Sequence, residues 1–238
     1  MIRRQSIFIV GVLLIILGLS MFFSVAWSLV YGEGDLIPLL QSIAVTVCFG
    51  LLLIIVFRGK ETKELSMHDG FAVVTIGWVA MVIFSALPFY FSGTLNYTNS
   101  FFEAMSGLTT TGASVFGNPT TLMVEELPHG ILFWRSFTQF IGGMGIIVFS
   151  IAILPMLRMG GVQLFRAEVA GPTADKLTPR VKQTAKLLWG IYVGFVLMLC
   201  LILKIEGISW FDALCHSFTT IATAGFSTRN ASIGAYND

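Results

Sequence analysis

Five long apolar stretches decide most of what this chain can fold into. They run over approximately residues 7–30, 36–57, 70–92, 129–157 and 183–204. Each reaches the roughly 20 residues that an α-helix needs to cross a bilayer. Only 11% of the 238 residues are charged and mean hydropathy is +0.85, so the surface cannot be solvated as that of a soluble domain is. The expected class is an all-α polytopic membrane protein. A net charge of +1 gives no reason to expect a nucleic-acid partner, and the lipid bilayer is the first partner implied.

The N-terminus, Met1-Ile2-Arg3-Arg4 followed by apolar residues, has the outline of a secretory signal, and Ser24-Val25-Ala26 offers a small-x-small cleavage site. The apolar stretch from Ile7 to Val30 is longer than the roughly 7–15 residues of a signal core. An uncleaved transmembrane helix is expected instead. Cys48, Cys200 and Cys215 are widely spaced and fit neither a disulfide framework nor a metal motif. They read as small hydrophobes.

Basic residues set the orientation. Arg3, Arg4, Arg58, Lys60, Lys63, Arg158, Arg166, Lys176, Arg180, Lys182 and Lys186 all fall on one side of the five spans. By the positive-inside rule that side, with the N-terminus, is cytoplasmic. Segments 31–37 and 93–128 carry no Lys or Arg but do carry Glu33, Asp35, Glu103, Glu125 and Glu126. The outer face is therefore mildly acidic.

Two further apolar segments, 99–110 and 210–222, are too short to span and suit re-entrant helices entering from outside. Ser100-Phe-Phe-Glu103 and Ser209-Trp-Phe-Asp212 both fit the capping-box pattern and are expected to open these short helices. Thr178-Pro179 is expected to cap and open the last span.

After each short helix comes a polar turn: "LTTTGAS" at Leu108–Ser114 and "ATAGFS" at Ala222–Ser227. A shift of 113 residues places Ser106 on Thr219, Thr110 on Thr223, Gly112 on Gly225 and Ser114 on Ser227. The repeated unit is span, short helix, threonine-glycine loop, span. Its second copy reaches Asp238 without a returning span.

Such a unit suits cation passage. An ion within a bilayer loses hydration, and backbone carbonyls and threonine hydroxyls can replace the lost oxygens without formal charge. Irregular backbone at membrane depth is tolerated where it lines a watery path or is buried in protein. Glycine permits the required backbone angles. The short helix directs its negative C-terminal end at the loop. A single such loop could equally be an ordinary turn whose threonines bond back to their own helix. Two matched loops favour the pore.

These residues carry a resemblance. "FFEAMSGLTTTGAS", "QFIGGMGIIVFSIAILP", "FRAEVAGPTADKLTPRVKQTAKLLWGIY" and "SFTTIATAGFSTRNAS" resemble the Trk/Ktr/HKT superfamily of potassium transporters, in its bacterial TrkH/TrkG branch, over the whole chain. The resemblance implies four pore units around a pseudo-fourfold axis, preceded in this branch by two extra helices. Residues 1–66 would be that N-terminal pair and 67–160 the first pore unit. Residues 161–178 would be a cytoplasmic linker, and 179–238 a second unit lacking its last helix. The chain thus looks like roughly the N-terminal half of such a protein.

The resemblance further implies potassium uptake across the bacterial inner membrane, with K+ as the transported ion and no cofactor. The filter residues it points to are Thr110, Thr111 and Gly112 in the first loop and Thr223, Ala224 and Gly225 in the second. Each loop holds one glycine where ordinary potassium channels hold two, which leaves sodium or mixed monovalent transport open. The partners it implies are a second copy, as a homodimer, and a cytosolic nucleotide-binding regulatory ring usually called TrkA. Gating is placed in the third unit, beyond this sequence.

Gly142-Gly143-Met144-Gly145, mid-span, lacks the strand and lysine of a phosphate loop and is expected to admit a neighbouring backbone. Arg135 and Gln139 share one face of that span. An intramembrane charge is by default a functional candidate, but a structural pair with Glu103 is preferred here. Glu125 and Glu126 either concentrate cations at the mouth or are simply solvated. His68, His129 and His216 are scattered and suggest no metal site. A polytopic enzyme would need clustered His, Cys or carboxylates at membrane depth, which the chain lacks. A non-conducting fragment remains the other alternative.

Overall fold

The computed structural model describes residues 4–59, 67–118, 120–146 and 177–236. Among them regular structure is helical, with no strand. Helices α1 (Arg4–Ser20) and α2 (Phe22–Tyr31) form the first span, 28 residues in all. Helix α3 (Leu36–Phe57) is the second, and α4 (Met67–Ser85) with α5 (Leu87–Phe91) the third. Then come α6 (Tyr97–Leu108), α7 (129–146), α8 (Leu177–Ile205) and α9 (Trp210–Ile221).

Four of the five expected spans coincide with helices long and apolar enough to cross a membrane. The other, expected over 129–157, is helical as far as residue 146, and its remainder lies outside the described residues. So do most of the linker 161–178 and several residues that set the orientation, Arg3, Lys60, Lys63, Arg158, Arg166 and Lys176. The last span already includes Leu177 and Thr178, so Thr178 is helical and not a cap. Pro179 still sits in the first turn, where an amide has no helical acceptor.

Small residues set the closest helix contacts, as expected where lipid supplies no hydrophobic drive between helices. Helices α1 and α3 cross at Gly11 and Gly50: a Cβ on either would lie 2.9 Å from the other's carbonyl oxygen. Their outward faces carry exposed Ile16, Leu52 and Ile55, and α8 exposes Leu187, Leu201 and Ile205, a surface that acyl chains solvate.

Helix α7 is the hub. Residues 130–139 are buried without interruption. The Trp134 indole donates to the Ser85 carbonyl at 3.0 Å, and Phe133, Phe137 and Phe140 stack along one face against Phe218 of α9. At its N-terminus the α2–α3 turn brings two carboxylates. The His129 amide donates to Glu33 at 2.5 Å. Buried Asp35 lies beside Gly130 and accepts the Ser28 hydroxyl. Negative charge is favourable at this end of a helix dipole, so the N-terminal helix pair is docked onto the start of α7.

Candidate functional site

The two short helices repeat residue for residue. The shift of 113 carries α6, Tyr97–Leu108, onto α9, Trp210–Ile221. It carries the cap Asn96 onto the cap Ser209. The Asn96 side chain accepts from the Asn99 amide at 2.9 Å, and the Ser209 hydroxyl accepts from the Asp212 amide at 3.0 Å. The start expected at Ser100 is thus corrected. Helix α6 begins one turn earlier, and Ser100 lies inside it, its hydroxyl donating to the Asn96 carbonyl at 2.9 Å. The Ser209–Asp212 cap does form.

Both helices end in the same way. The Thr110 amide donates to Gly107 and the Thr111 amide to Ser106; in the second copy Thr223 donates to Thr220 and Ala224 to Thr219. All four distances lie between 2.9 and 3.0 Å. This is a Schellman ending, which requires a left-handed residue, usually glycine. Here threonine holds the position, with φ of 54° at Thr110 and 55° at Thr223. A β-branched residue in that region is strained by about 1–2 kcal/mol, and such strain concentrates at functional sites. Two residues on, Gly112 and Gly225 are also left-handed, with φ of 77° and 101°.

Tight reversals leave the loop carbonyls without protein donors. Among the described residues no amide or side chain donates to the carbonyl oxygens of Thr110, Thr111, Gly112, Thr223, Ala224 or Gly225. The side chains behave less uniformly. Thr109 bonds back to the Met105 carbonyl at 2.8 Å and meets the Thr111 hydroxyl at 2.8 Å. Thr223 donates to the Ala222 carbonyl at 2.7 Å. Ala224 supplies no hydroxyl where Thr111 does. What the copies share is therefore bare backbone oxygen, next to the negative end of a helix.

The loops touch. A Cβ built on Gly112 would sit 1.8 Å from the Ala224 carbonyl oxygen. The glycine tract of α7 makes room for both helix ends. A Cβ on Gly142 would lie 2.1 Å from the Leu108 carbonyl oxygen, and one on Gly143 would lie 3.2 Å from Cα of Ala222. Gly145 faces Trp78 instead, with its nearest atom at 3.3 Å.

Arg135 lies behind the loops with 3% of its side chain exposed, and Glu103 of α6 has none. The guanidinium donates to Glu103 Oε1 at 2.6 Å and to the Ser227 carbonyl at 2.7 Å, and lies 3.8 Å from the Phe226 ring centroid. Glu103 also accepts the Ser114 hydroxyl at 2.9 Å and the Val115 amide at 3.0 Å. One helical turn along, Gln139 Oε1 accepts the Phe226 amide at 3.2 Å.

A second layer of ties lies outside the loops, and no local sequence pattern points to it. Asn230 accepts the Val124 amide at 3.2 Å through its side chain, donates through Nδ2 to Met123 Sδ at 3.1 Å, and donates its own amide to Glu125 at 2.7 Å. Glu126 accepts the Met123 amide at 2.9 Å. The outer carboxylates are thus engaged with backbone. Beside them a cavity of about 270 Å³ is lined by Tyr31, Glu125, His129, Ser209, Asp212 and Arg229, among others. His216 is buried, with Nε2 3.4 Å from both Thr228 Oγ1 and the Tyr236 hydroxyl. Among the described residues no group of three or more His, Cys, Asp or Glu is placed to hold a metal ion.

Spanning helices, paired re-entrant helices of one length and paired left-handed loops define a polytopic membrane protein built from pore-loop units. The chain belongs to the TrkH family, described as cation transport protein, whose model matches residues 38–238. It is 44% identical over 232 residues to the Trk system potassium uptake protein TrkH of Escherichia coli, covering 96% of this chain and 47% of that protein. To TrkG of the same species, also a Trk system potassium uptake protein, it is 36% identical over 233 residues, covering 96% of this chain and 46% of that one. The crystal structure of the potassium transporter TrkH from Vibrio parahaemolyticus matches with a TM-score of 0.83 at 36% identity, over 99% of this chain and 46% of that one. The chain spans about half the length of these relatives.

Proposed function

We propose that this chain supplies two sides of a potassium-uptake pathway in the bacterial inner membrane. The supporting observation is the matched pair of left-handed loops, touching at Gly112 and Ala224, whose carbonyl oxygens have no protein donor among the described residues. Thr110, Thr111 and Gly112 form one side of the filter and Thr223, Ala224 and Gly225 the other. Dehydrated K+ takes these oxygens in place of water, so the chain works by selective permeation and not by catalysis. Arg135, Glu103, Gly142, Gly143 and Gly145 support the pore. The names of the relatives, potassium uptake proteins and a potassium transporter, favour K+ as the ion.

In this reading residues 1–66 are an anchoring helix pair, 67–160 the first pore unit, 161–178 a linker, and 179–238 belong to the second unit. The N-terminus and the linker face the cytoplasm. The protein works as a homodimer, and its cytoplasmic face meets a nucleotide-binding regulatory subunit of the TrkA type. The test is growth of a bacterium stripped of potassium uptake. Expression of the full-length gene should restore growth at low potassium, and external sodium should compete weakly. Failure to rescue in cells that carry the protein in the membrane, or uptake of sodium in preference to potassium, would overturn the assignment.

A further inference from the structure

We infer that Arg135 is the positioning residue that holds the two filter loops in one register; this deepens the filter reading above and rests on it. Arg135 belongs to neither loop, yet it reaches both. Through Nε it engages Glu103, whose carboxylate in turn holds Ser114 and Val115 of the first loop. Through Nη1 it holds the Ser227 carbonyl of the second loop. Its plane lies against Phe226, whose amide is fixed by Gln139 from the same helix face.

The chemistry suits a spacer more than a simple anchor. A buried ion pair is weak evidence of stability, because desolvation offsets most of the attraction. What a guanidinium adds is a rigid planar fork with donors in fixed directions. One branch of that fork serves each loop. The distance between the Ser227 carbonyl and the Glu103 carboxylate is therefore set by a rigid group. Which ion is chosen depends on the size of the site and on the number of oxygens that replace the hydration shell, and both change if the two loops shift against each other. A lysine keeps the charge as a single flexible point and cannot reproduce the fork.

The test is Arg135→Lys in the full-length protein, reconstituted in lipid vesicles. The readouts are K+ and Na+ influx, the K+ concentration for half-maximal influx, and the elution profile of the folded protein. The expected result is folded protein whose K+/Na+ influx ratio falls by about tenfold, equivalent to roughly 1.4 kcal/mol in the relative barrier to permeation. Ser28→Ala, which removes a buried hydroxyl contact to Asp35 at the start of α7 and no hydrogen bond to either loop, should lower thermal stability and leave the ratio unchanged. If Arg135→Lys does not fold, Ser114→Ala carries the test, since it cuts the Glu103 link to the first loop together with one local contact, the Phe116 amide on the same hydroxyl. It should lower the ratio in the same direction by a smaller factor. A wild-type ratio and half-saturation in the folded variant would overturn the proposal. Gly112→Ser in parallel tells the two failures apart. A shifted ratio there beside an unshifted one in Arg135→Lys rejects the spacer and keeps the filter. No shift in either rejects both.

Discussion

The Cα of Gly112 rests against the carbonyl oxygen of Ala224, so close that a Cβ at residue 112 would lie 1.8 Å from it. These residues belong to different copies of the repeat, and their contact makes one surface of two loops. Gly225, at the matching place in the second loop, has open space where a Cβ would point, with nothing within 4 Å. The repeat is thus equivalent in backbone and unequal in packing.

The glycines of α7 should differ sharply in tolerance. Gly142→Ala drives a methyl into the Leu108 backbone, 2.1 Å from its carbonyl oxygen, where nothing flexible can yield. Overpacking of this kind costs about 1–3 kcal/mol. Gly145→Ala meets only the Trp78 ring at 3.3 Å and should be nearly neutral. Thermal unfolding of the detergent-solubilised variants would show the difference, and equal melting temperatures would count against the packing described.

Removing the helix caps tests the repeat itself. Asn96→Ala and Ser209→Ala each delete one bond to a first-turn amide, worth about 1 kcal/mol. Ser209 also donates to the Asp212 carboxylate at 3.0 Å, so its loss should lower the melting temperature further than that of Asn96. Hydrogen exchange at the first turn of each helix would read the local effect.

Asn230→Ala should loosen the outer tie between the units. It removes the acceptor for the Val124 amide and the contact to Met123, while the Asn230 amide still reaches Glu125. The site is exposed, so the loss should be about 1 kcal/mol. Faster exchange of the Val124 amide is the expected signature, and unchanged exchange would refute the tie.

Acid should weaken the ties that hold the second loop. Burial raises the Asp212 pKa, but hydrogen bonds from Thr228 and Ser209 and the Arg229 charge outweigh it and hold the carboxyl below its ordinary value. A lowered folded pKa stabilises above the unfolded value of about 3.9 and is lost as pH falls through the folded value. Stability should therefore drop on acidification below about pH 4. Asp212→Asn should flatten that limb of the pH profile, measured by thermal unfolding across the range.

Much of the architecture is legible in the sequence because lipid imposes simple rules. Apolar length marks the spans, with α3 at 36–57 as expected. The shift that matches Gly112 to Gly225 also matches the ends of α6 and α9 and the turns that follow. The start of α6 differs from the expected one for a physical reason. Asn96 and Ser100 can both cap a helix, and Glu103 has the spacing to complete a box at Ser100. Buried charge decides otherwise: Glu103 is taken by Arg135, Ser114 and Val115, pairings far apart in sequence. The role of Asn230 is hidden for the same reason, since its partners lie more than a hundred residues away. Local patterns reveal helices and turns, while contacts between turns arise only once the chain is packed.

The most direct test of the central claim is relative K+ and Na+ influx through the full-length protein in lipid vesicles, with Gly112 intact and with Gly112→Ser. The serine Cβ cannot coexist with the Ala224 carbonyl in this arrangement, and φ at residue 112 is 77°. The two loops must therefore part. The expected result is folded protein that has lost its preference for K+ over Na+. A folded Gly112→Ser variant with unchanged K+ preference would contradict the filter assignment.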